Sequence, residues 1–261
     1  MEGHTKENLI EQYPMEYCHM LELCYGEGMM SEGGRSAIDA LFDGISLTGK
    51  RVLEIGFGLG GLAHYLSEKY PAIEYYGIEV NPKMHEYASQ KYPQKNLNFI
   101  LPENPDIMPF EADYFDVVFS KGVLVHLQDK QPLFNELYRV LKSDGKFIIN
   151  DWLSPDGKSF GKRVDQMCEL ENLALFPLSE AAYCSLLKKS GFQLISIEDE
   201  NKAYAQYNDA IVQRLKQSDI KATFLHNFTQ KEYADSVDAY GWISEAFANN
   251  ELLARKFLCS K

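Results

Sequence analysis

No apolar run in this 261-residue chain approaches the roughly 18 residues that a membrane-spanning helix needs. The first residues, MEGHTKENLIEQY, are polar and lack the apolar stretch of a secretory signal. Internal repeats and low-complexity tracts are absent too. We therefore expect a cytoplasmic protein with an ordinary packed core, neither exported nor inserted into a membrane.

Cysteine is scarce and irregularly placed. The five cysteines are Cys18, Cys24, Cys168, Cys184 and Cys259. They are odd in number, and no two form a C-x-x-C pair, which argues against a disulfide framework and against the common zinc motifs. We expect reduced thiols and no metal site.

Basic residues are outnumbered, since 26 Lys and Arg stand against 38 Asp and Glu, a formal net charge of −12. A nucleic-acid-binding surface needs a basic stripe, so nucleic acid is not expected as a partner. An acidic protein suits a small neutral or cationic substrate better. We expect a small-molecule substrate, handled by a monomer or a homodimer.

From residue 51 onward, strand-like and helix-like segments alternate. The strand-like runs are 51–56, 73–80, 97–101, 115–120, 145–152 and 192–199, and the helical ones are 61–70, 82–92, 130–142 and 178–190. This alternation predicts an α/β fold with a Rossmann-like, mostly parallel sheet covered on both faces. Helices and a loop over 1–50 precede it. A helical insertion over 200–250 leads to a short last strand, expected to be antiparallel, within a domain of residues 51–261.

The first strand ends in a run of closely spaced glycines, R-V-L-E-I-G-F-G-L-G-G over 51–61. Without a Cβ at Gly56, Gly58 or Gly60, the backbone can approach a bulky ligand closely. The helix that follows presents its free N–H groups and the positive end of its dipole to that ligand. The turn therefore predicts a nucleotide-like cofactor.

The spacing of these glycines fits two templates: the dinucleotide fingerprint G-x-G-x-x-G and the E-x-G-x-G turn of S-adenosylmethionine methyltransferases. Glu54 favours the second template, because a carboxylate there would repel a pyrophosphate and attract the cationic amino-acid end of S-adenosylmethionine. An NAD-dependent oxidoreductase and a non-catalytic S-adenosylmethionine-binding protein remain as alternatives.

Two further positions are predicted to hold the cofactor. Glu79, followed by Val80, ends the second strand, where a carboxylate can accept hydrogen bonds from both ribose hydroxyls. In S-adenosylmethionine methyltransferases, an acidic or amide side chain after the third strand, followed by a backbone N–H, binds adenine, and the resemblance of the glycine turn to theirs implies such a pair here. Because Pro105 lacks an N–H, we predict that Glu103 and Asn104 form this pair.

The fourth strand runs into S-K-G-V-L-V-H at the edge of the sheet where ligands of open α/β folds bind. Lys121 is predicted to flank the cofactor, and His126 to lie beyond it, toward the transferred methyl group.

These motifs, over residues 50–152, resemble those of class I S-adenosylmethionine methyltransferases, and the flanking segments resemble the phosphoethanolamine N-methyltransferases. E-Q-Y at 11–13 and Y-G-E-G-M-M-S-E-G-G at 25–34 are similar to that family's N-terminal lid and serine-glycine-glycine loop, and G-W-I-S around Trp242 is similar as well. The resemblance implies S-adenosylmethionine as cofactor, S-adenosylhomocysteine as product, and a helical lid over 1–50. The implied site residues are Gln12, Tyr13, Ser31 and His126.

The chain departs from that family where the substrate binds. The family's Arg-Asp pair after the fourth strand is Lys121 and Gly122 here, and its tyrosine after the fifth strand is Trp152. The segment 164–176 has none of the family's phosphate-holding Tyr and Arg residues and adds two Glu. We expect another small amine as acceptor, bound by Gln12, Met30, Gly122 and Trp152.

Methyl transfer to nitrogen is the favoured reaction. An O- or C-methyltransferase of quinone-like or phenolic acceptors is the alternative that Met30 and Trp152 leave open. Tyr13 and His126, 113 positions apart, are predicted to meet as a hydroxyl–imidazole latch that closes the lid and takes the acceptor's proton. Simple packing of the N-terminal arm, with His126 capping a helix, is the other interpretation.

Overall fold

A computed structural model describes residues 6–70, 73–104 and 107–261. The strands are β1 (Arg51–Ile55), β2 (Glu74–Ile78), β3 (Leu97–Ile100), β4 (Phe115–Lys121), β5 (Leu141–Leu153), β6 (Gln193–Asp199) and β7 (Leu253–Ser260). They form one sheet in the order β3-β2-β1-β4-β5-β7-β6. Strands β1 to β5 pair in parallel, and β7 is antiparallel to both of its neighbours. The predicted sheet, with its antiparallel last strand, is confirmed.

The α-helices of the described residues are α1 (Lys6–Gln12), α2 (Met15–Tyr25), α3 (Gly34–Leu41), α4 (Gly61–Lys69), α5 (Pro82–Lys91), α6 (Gln131–Val140), α7 (Lys162–Glu171), α8 (Glu180–Lys189), α9 (Asn201–Leu215), α10 (Ser218–Asn227) and α11 (Gln230–Ala248). A 3₁₀ turn, Leu124–His126, follows β4. Within the described ranges, no helix combines the length and the apolarity needed to cross a membrane.

Both faces of the sheet are covered, as the alternation of strands and helices predicts. Successive residues of a strand point to opposite faces. Val52 belongs to a buried cluster with Ile38 of α3 and Leu66 of α4. Its neighbour Leu53 belongs to a second cluster with residues of α6 and α8, such as Phe134. The core therefore lies in two layers, one on each side of the sheet.

The fifth strand is longer than the predicted 145–152, and the helix predicted over 130–142 ends earlier, at Val140. Leu141 already pairs with Phe115 of β4, and the register then shifts before Val117 pairs with Lys146. The helical periodicity of the sequence continues into residues 141 and 142, so the predicted helix was too long. Pairing with β4 decides where β5 begins, and this pairing has no local signal in the sequence.

The helix α2 packs on the helices of the insertion over 200–250. Leu21 shares a buried cluster with Tyr240 of α11. Arg214 of α9 donates to the backbone carbonyls of Leu23, at 3.1 Å, and of Cys24. These carbonyls lie in the last turn of α2, where a helix has no internal donor for them. The N-terminal arm is thereby held against the insertion. Residues 1–5 of the predicted lid lie outside the described residues.

Candidate functional site

A cavity of about 530 Å³, hereafter the large cavity, lies at the carboxyl ends of β1, β2 and β4. A second cavity of about 70 Å³, the small cavity, adjoins it toward α7 and α11. Six residues line both of them: Tyr13, Met30, Ser31, Glu32, Gly122 and His126. Of the residues predicted from sequence, the large cavity also brings together Glu54, Gly56, Gly58, Glu79, Val80 and Lys121. Sites of this kind and size are typical of a cofactor with a substrate pocket beside it.

The glycine turn after β1 has two different tasks. Gly56 and Gly58 have positive φ and line the large cavity. A Cβ on Gly58 would lie 3.0 Å from Met30 Sδ, in the narrow space between the turn and the loop around residue 30. Gly60 does not line the cavity, contrary to the prediction. A Cβ there would meet Ala88 at 2.9 Å and Tyr92 at 3.1 Å, so Gly60 is needed for packing α4 beside α5.

Glu79 is held ready by the backbone. Its Oε1 accepts from the N–H of Asn81 at 2.9 Å, and its Oε2 accepts from the N–H of Gly58 at 3.1 Å. Only 8% of its surface is exposed, and burial raises its pKa. Glu79 therefore joins the end of β2 to the glycine turn, with its carboxylate on the wall of the large cavity.

Glu54 is more deeply enclosed. It is 3% exposed, and the hydroxyl of Tyr75 donates to its Oε2. Burial raises the pKa of Glu54 to about 8. A buried carboxylate favours its neutral form until a cation is placed beside it. The electrostatics of this wall thus favour a positively charged ligand group.

Lys121, at the end of β4, fixes the loop that carries Ser31. Its Nζ donates to Ser31 Oγ at 3.0 Å and to the backbone carbonyl of Glu32 at 2.7 Å. Burial lowers the pKa of Lys121, and the charges of Glu32, Glu200 and Glu54 oppose that shift. Lys121 lines the large cavity as predicted, but its ammonium group is already bound to the loop.

Tyr13 and His126 meet between the two cavities. The Tyr13 hydroxyl lies 3.1 Å from His126 Nε2, and the two rings contact edge to face with centroids 5.5 Å apart. Burial lowers the pKa of His126 to about 4 and raises that of Tyr13 far above its usual range. Both side chains are therefore neutral at pH 7, and the imidazole can accept the hydroxyl proton.

The segment that carries Tyr13, between α1 and α2, is held on both sides. Asn81 donates its Nδ2 to the Tyr13 carbonyl at 3.1 Å, and Gln12 Oε1 accepts from the N–H of Ala174 at 2.8 Å. Gln12 lies outside the lining of both cavities, so the prediction that it binds substrate is not supported by its position; it anchors the lid instead. Asn81 was missed, although Asn before Pro82 is a recognisable helix cap.

The predicted adenine pair is not at the site. Glu103 and Asn104 are exposed and lie outside the cavity lining, where Pro102, Ile107 and Met108 form this part of the wall. The sequence spacing after β3 left the direction of these side chains open, and the two polar ones lie toward solvent. Pro105, on which that prediction depended, lies outside the described residues.

The small cavity is aromatic and acidic. Trp152, of β5, lines this cavity but not the large one, and packs edge-on against Phe247 with centroids 5.6 Å apart. Glu171, at the end of α7, also lines the small cavity, and its Oε2 accepts from the Tyr17 hydroxyl at 2.7 Å. Burial raises the pKa of Glu171 to about 7. The extra acidic residues in 164–176 are visible in the sequence, but the pattern there predicts no role for them.

Comparison with known proteins agrees with this geometry. Residues 53–149 match a methyltransferase domain family. The chain is 28% identical to phosphoethanolamine N-methyltransferase 1 of Zea mays over 224 residues, which cover 85% of this chain and 43% of that one. It is 27% identical to phosphoethanolamine N-methyltransferase of Plasmodium falciparum over 236 residues, 88% of this chain and 85% of the relative. The chain spans about half the length of the plant relatives.

Solved structures show the same fold. Phosphoethanolamine N-methyltransferase 2 of Haemonchus contortus, in complex with S-adenosyl-L-methionine, superposes with a TM-score of 0.88 at 23% identity, over 99% of this chain and 60% of that one. The cyclopropane synthase MmaA2 of Mycobacterium tuberculosis gives 0.80 at 14% identity, over 99% of both chains. The chain thus carries a match to a methyltransferase domain over residues 53–149, is similar in sequence to phosphoethanolamine N-methyltransferases, and shares the fold of these solved structures.

Proposed function

We propose that this protein transfers a methyl group from S-adenosylmethionine to the nitrogen of a small amine. The observation that carries the proposal is the Tyr13–His126 pair, which lies where the large cavity meets the small one. A cofactor in the large cavity and an acceptor in the small cavity would meet beside this pair, which can move a proton.

The residues of the large cavity fit the cofactor. Its volume of about 530 Å³ lies within the usual range of roughly 300–1,000 Å³ for ligand pockets. The turn at Gly58 leaves space that a side chain would fill, and the two buried carboxylates, Glu54 and Glu79, suit a ligand with a cationic amino-acid end and ribose hydroxyls. When bound, S-adenosylmethionine supplies an electrophilic methyl group on a sulfonium. Val80, Lys121 and Ser31 complete the proposed cofactor site.

The chain's own part in the reaction is to prepare the acceptor. An alkylammonium ion has no lone pair, so it must lose a proton before its nitrogen can attack. We infer that the Tyr13 hydroxyl accepts this proton while passing its own to Nε2 of His126, which burial keeps neutral at pH 7. The proton ends on the imidazole, and the neutral amine keeps its lone pair for the methyl group.

The methyl transfer also requires that the acceptor nitrogen is aligned with the methyl group and that water is excluded from the site. Asn81 and Gln12 hold the Tyr13 segment from two sides, so that α1 and α2 can act as the lid over 1–50. Met30 and Gly122 line both cavities and would flank the passage between them, with Trp152 deeper in the acceptor pocket. Two carboxylates in the small cavity count against a quinone-like acceptor, which needs an apolar pocket.

Calorimetry with S-adenosylmethionine and with NAD tests the cofactor, and mass spectrometry of reactions with a panel of amines and phenols tests the chemistry. We expect binding of S-adenosylmethionine but not NAD, and a mass increase of one methyl group on amines only. Binding of NAD alone, or methylated phenols without methylated amines, would overturn the proposal.

We also infer that the protein works in the cytoplasm, as a monomer or a homodimer. All five cysteines are free thiols, and three of them are buried. Thiols of this kind suit a reducing compartment.

A further inference from the structure

The small cavity combines aromatic rings with carboxylates and offers no cation. Its aromatic lining residues are Tyr13, Tyr17, Tyr25, Trp152 and Tyr240. Its acidic ones are Glu32 and Glu171, and none of the described residues that line it is Lys or Arg. Aromatic faces and carboxylates are the two kinds of group that attract an organic ammonium ion.

Glu171 has no cationic partner in the part of the chain that the structure describes. It lines only the small cavity, and among the residues that the structure describes the influences on its pKa are burial, the Tyr17 hydroxyl and the negative charge of Glu32. The Tyr17 hydroxyl donates to one oxygen, Oε2, at 2.7 Å. A carboxylate in such surroundings is costly to ionise unless a ligand brings a positive charge.

Glu32 gives a second, independent indication of a ligand. It is 3% exposed and lines both cavities, and its Oε1 has no hydrogen-bond partner within the described part of the chain. The carboxyl group of Glu32 interacts with Lys121, Asn208 and Tyr25, and because buried polar atoms are nearly always paired, its remaining oxygen leaves room for a donor that the ligand supplies. Lys121 attracts Glu32 but is shared with Glu54 and Glu200, so negative charge remains in excess.

A phosphate group would find no guanidinium or ammonium partner among the described residues that line the small cavity. Arg163, on the same helix as Glu171, is bound to Glu245 at 2.8 Å and to Glu251 at 2.6 Å. Arg255 and Lys256 of β7 pair with acidic residues of β6 and α8 and also lie outside the cavity lining. An anionic ligand end would face two carboxylates instead of a guanidinium.

We propose that the small cavity binds an ammonium group and that the methyl acceptor is a short aliphatic diamine. One nitrogen lies at the Tyr13–His126 pair, and the other is held by Glu171 and Glu32 among the tyrosine rings. This inference rests on the proposed function. A water-sized volume is about 10–15 Å³, so the cavity of about 70 Å³ accommodates roughly five to seven heavy atoms, which matches a diamine of three to five carbons.

Calorimetry on the full chain saturated with S-adenosylhomocysteine tests this, with 1,4-diaminobutane, 1-aminobutane and phosphoethanolamine as ligands. We expect the diamine to bind at least tenfold more tightly than the monoamine, and phosphoethanolamine not to displace it. Glu171→Gln should weaken diamine binding roughly 10- to 100-fold, as loss of a charged hydrogen-bond partner does, and leave the monoamine unchanged. Glu171→Asp, which keeps the charge, should retain most of the preference. Glu169→Gln, an exposed change on the same helix, is the matched control.

The outcomes separate this inference from the proposed function. The protein could methylate amines but bind the diamine and the monoamine equally, or turn over phosphoethanolamine at micromolar concentrations. Either result would overturn the proposal that the acceptor is a diamine, but not the proposal that the protein is a methyltransferase. Failure to bind S-adenosylhomocysteine would overturn the methyltransferase itself. Thermal unfolding of each variant shows whether it is folded, and a poorly folded Glu171→Gln leaves the wild-type ligand comparison as the deciding measurement.

Discussion

Asn81 donates its Nδ2 to the backbone carbonyl of Tyr13 at 3.1 Å, across 68 positions of sequence. The same side chain caps α5, since its Oδ1 accepts from the N–H of Lys83 at 3.0 Å. One buried amide thus joins the end of β2, where Glu79 lines the large cavity, to Tyr13, which lines both cavities. We therefore expect the position of the N-terminal arm to depend on this contact.

Asn81→Ser separates these two roles. Serine caps a helix about as well as asparagine, so Asn81→Ser should lower the free energy of unfolding only by the lost contact to Tyr13, about 0.5–1.5 kcal/mol, whereas Asn81→Ala should lower it by about 1 kcal/mol more. Neither side chain reaches Tyr13, so both variants should lower kcat roughly tenfold or more through a misplaced lid. Denaturant unfolding and steady-state kinetics give the two quantities. A serine variant with wild-type kcat would show that the contact to Tyr13 is not a functional clamp.

Glu79→Gln should weaken the binding of S-adenosylhomocysteine by about 1–3 kcal/mol. An amide has one acceptor oxygen, so either Asn81 or Gly58 would lose its acceptor and face an N–H₂ group instead. Calorimetry measures the loss. Glu74→Gln is the control, because Glu74 begins the same strand but is exposed and pairs with Arg51 at 2.8 Å. Equal losses in the two variants would contradict a specific role for Glu79.

The pKa of Glu171 predicts how stability changes with pH. Because its folded value of about 7 lies above the usual 4.5, the folded protein binds the extra proton between these values. The free energy of unfolding should therefore fall as pH rises from 4.5 to 7, and Glu171 should account for up to about 3 kcal/mol of that fall. Below pH 4.5 the group is protonated in both states, so it should not change the stability with pH. Glu32 and the Tyr17 hydroxyl face Glu171 and are unchanged in Glu171→Gln.

Unfolding of the wild type and of Glu171→Gln at pH 5 and pH 8, without amines, measures this contribution. The variant cannot ionise at position 171, so it should lose less stability than the wild type between the two pH values. Glu54 and Asp151, whose pKa values are also raised by burial, contribute equally to both proteins and cancel in the difference. Parallel profiles would mean that the carboxyl group of Glu171 titrates normally.

The sheet could be predicted because its signals are local: apolar strands, helical periodicity and a glycine turn each occupy a few consecutive residues. The position of Tyr13 beside His126 followed from one further step, that an arm without a strand must dock at the open edge of the sheet. Side-chain direction in loops has no such local signal. The resemblance placed Gln12 at the site, and the methyltransferase pattern after the third strand placed Glu103 and Asn104 there, whereas all three lie outside the lining of both cavities.

The same limit explains Gly60 and Glu171. Gly60 has the positive φ of its neighbours in the turn, and only the packing of α5 distinguishes it from a ligand-facing glycine. Glu171 ends a helix with other acidic residues, and nothing in the sequence shows that this one faces inward toward Tyr17 rather than outward to solvent.

Tyr13→Phe and His126→Ala should each lower kcat by roughly 100-fold or more, the usual effect of losing a general base. Phenylalanine keeps the ring that packs edge-on against the imidazole, so the unfolding free energy of Tyr13→Phe should stay close to that of the wild type. If the hydroxyl and the imidazole, 3.1 Å apart, act as one relay as proposed, the double variant should be little slower than the slower single one. Burst-free steady-state kinetics with an amine acceptor, together with denaturant unfolding, measures both quantities.

If the arm were only packed against the sheet, the variants would lose stability and keep their kcat, and their effects on unfolding would add. Independent, multiplicative losses of kcat would instead assign the two residues to separate steps, with the proton leaving the acceptor by another route.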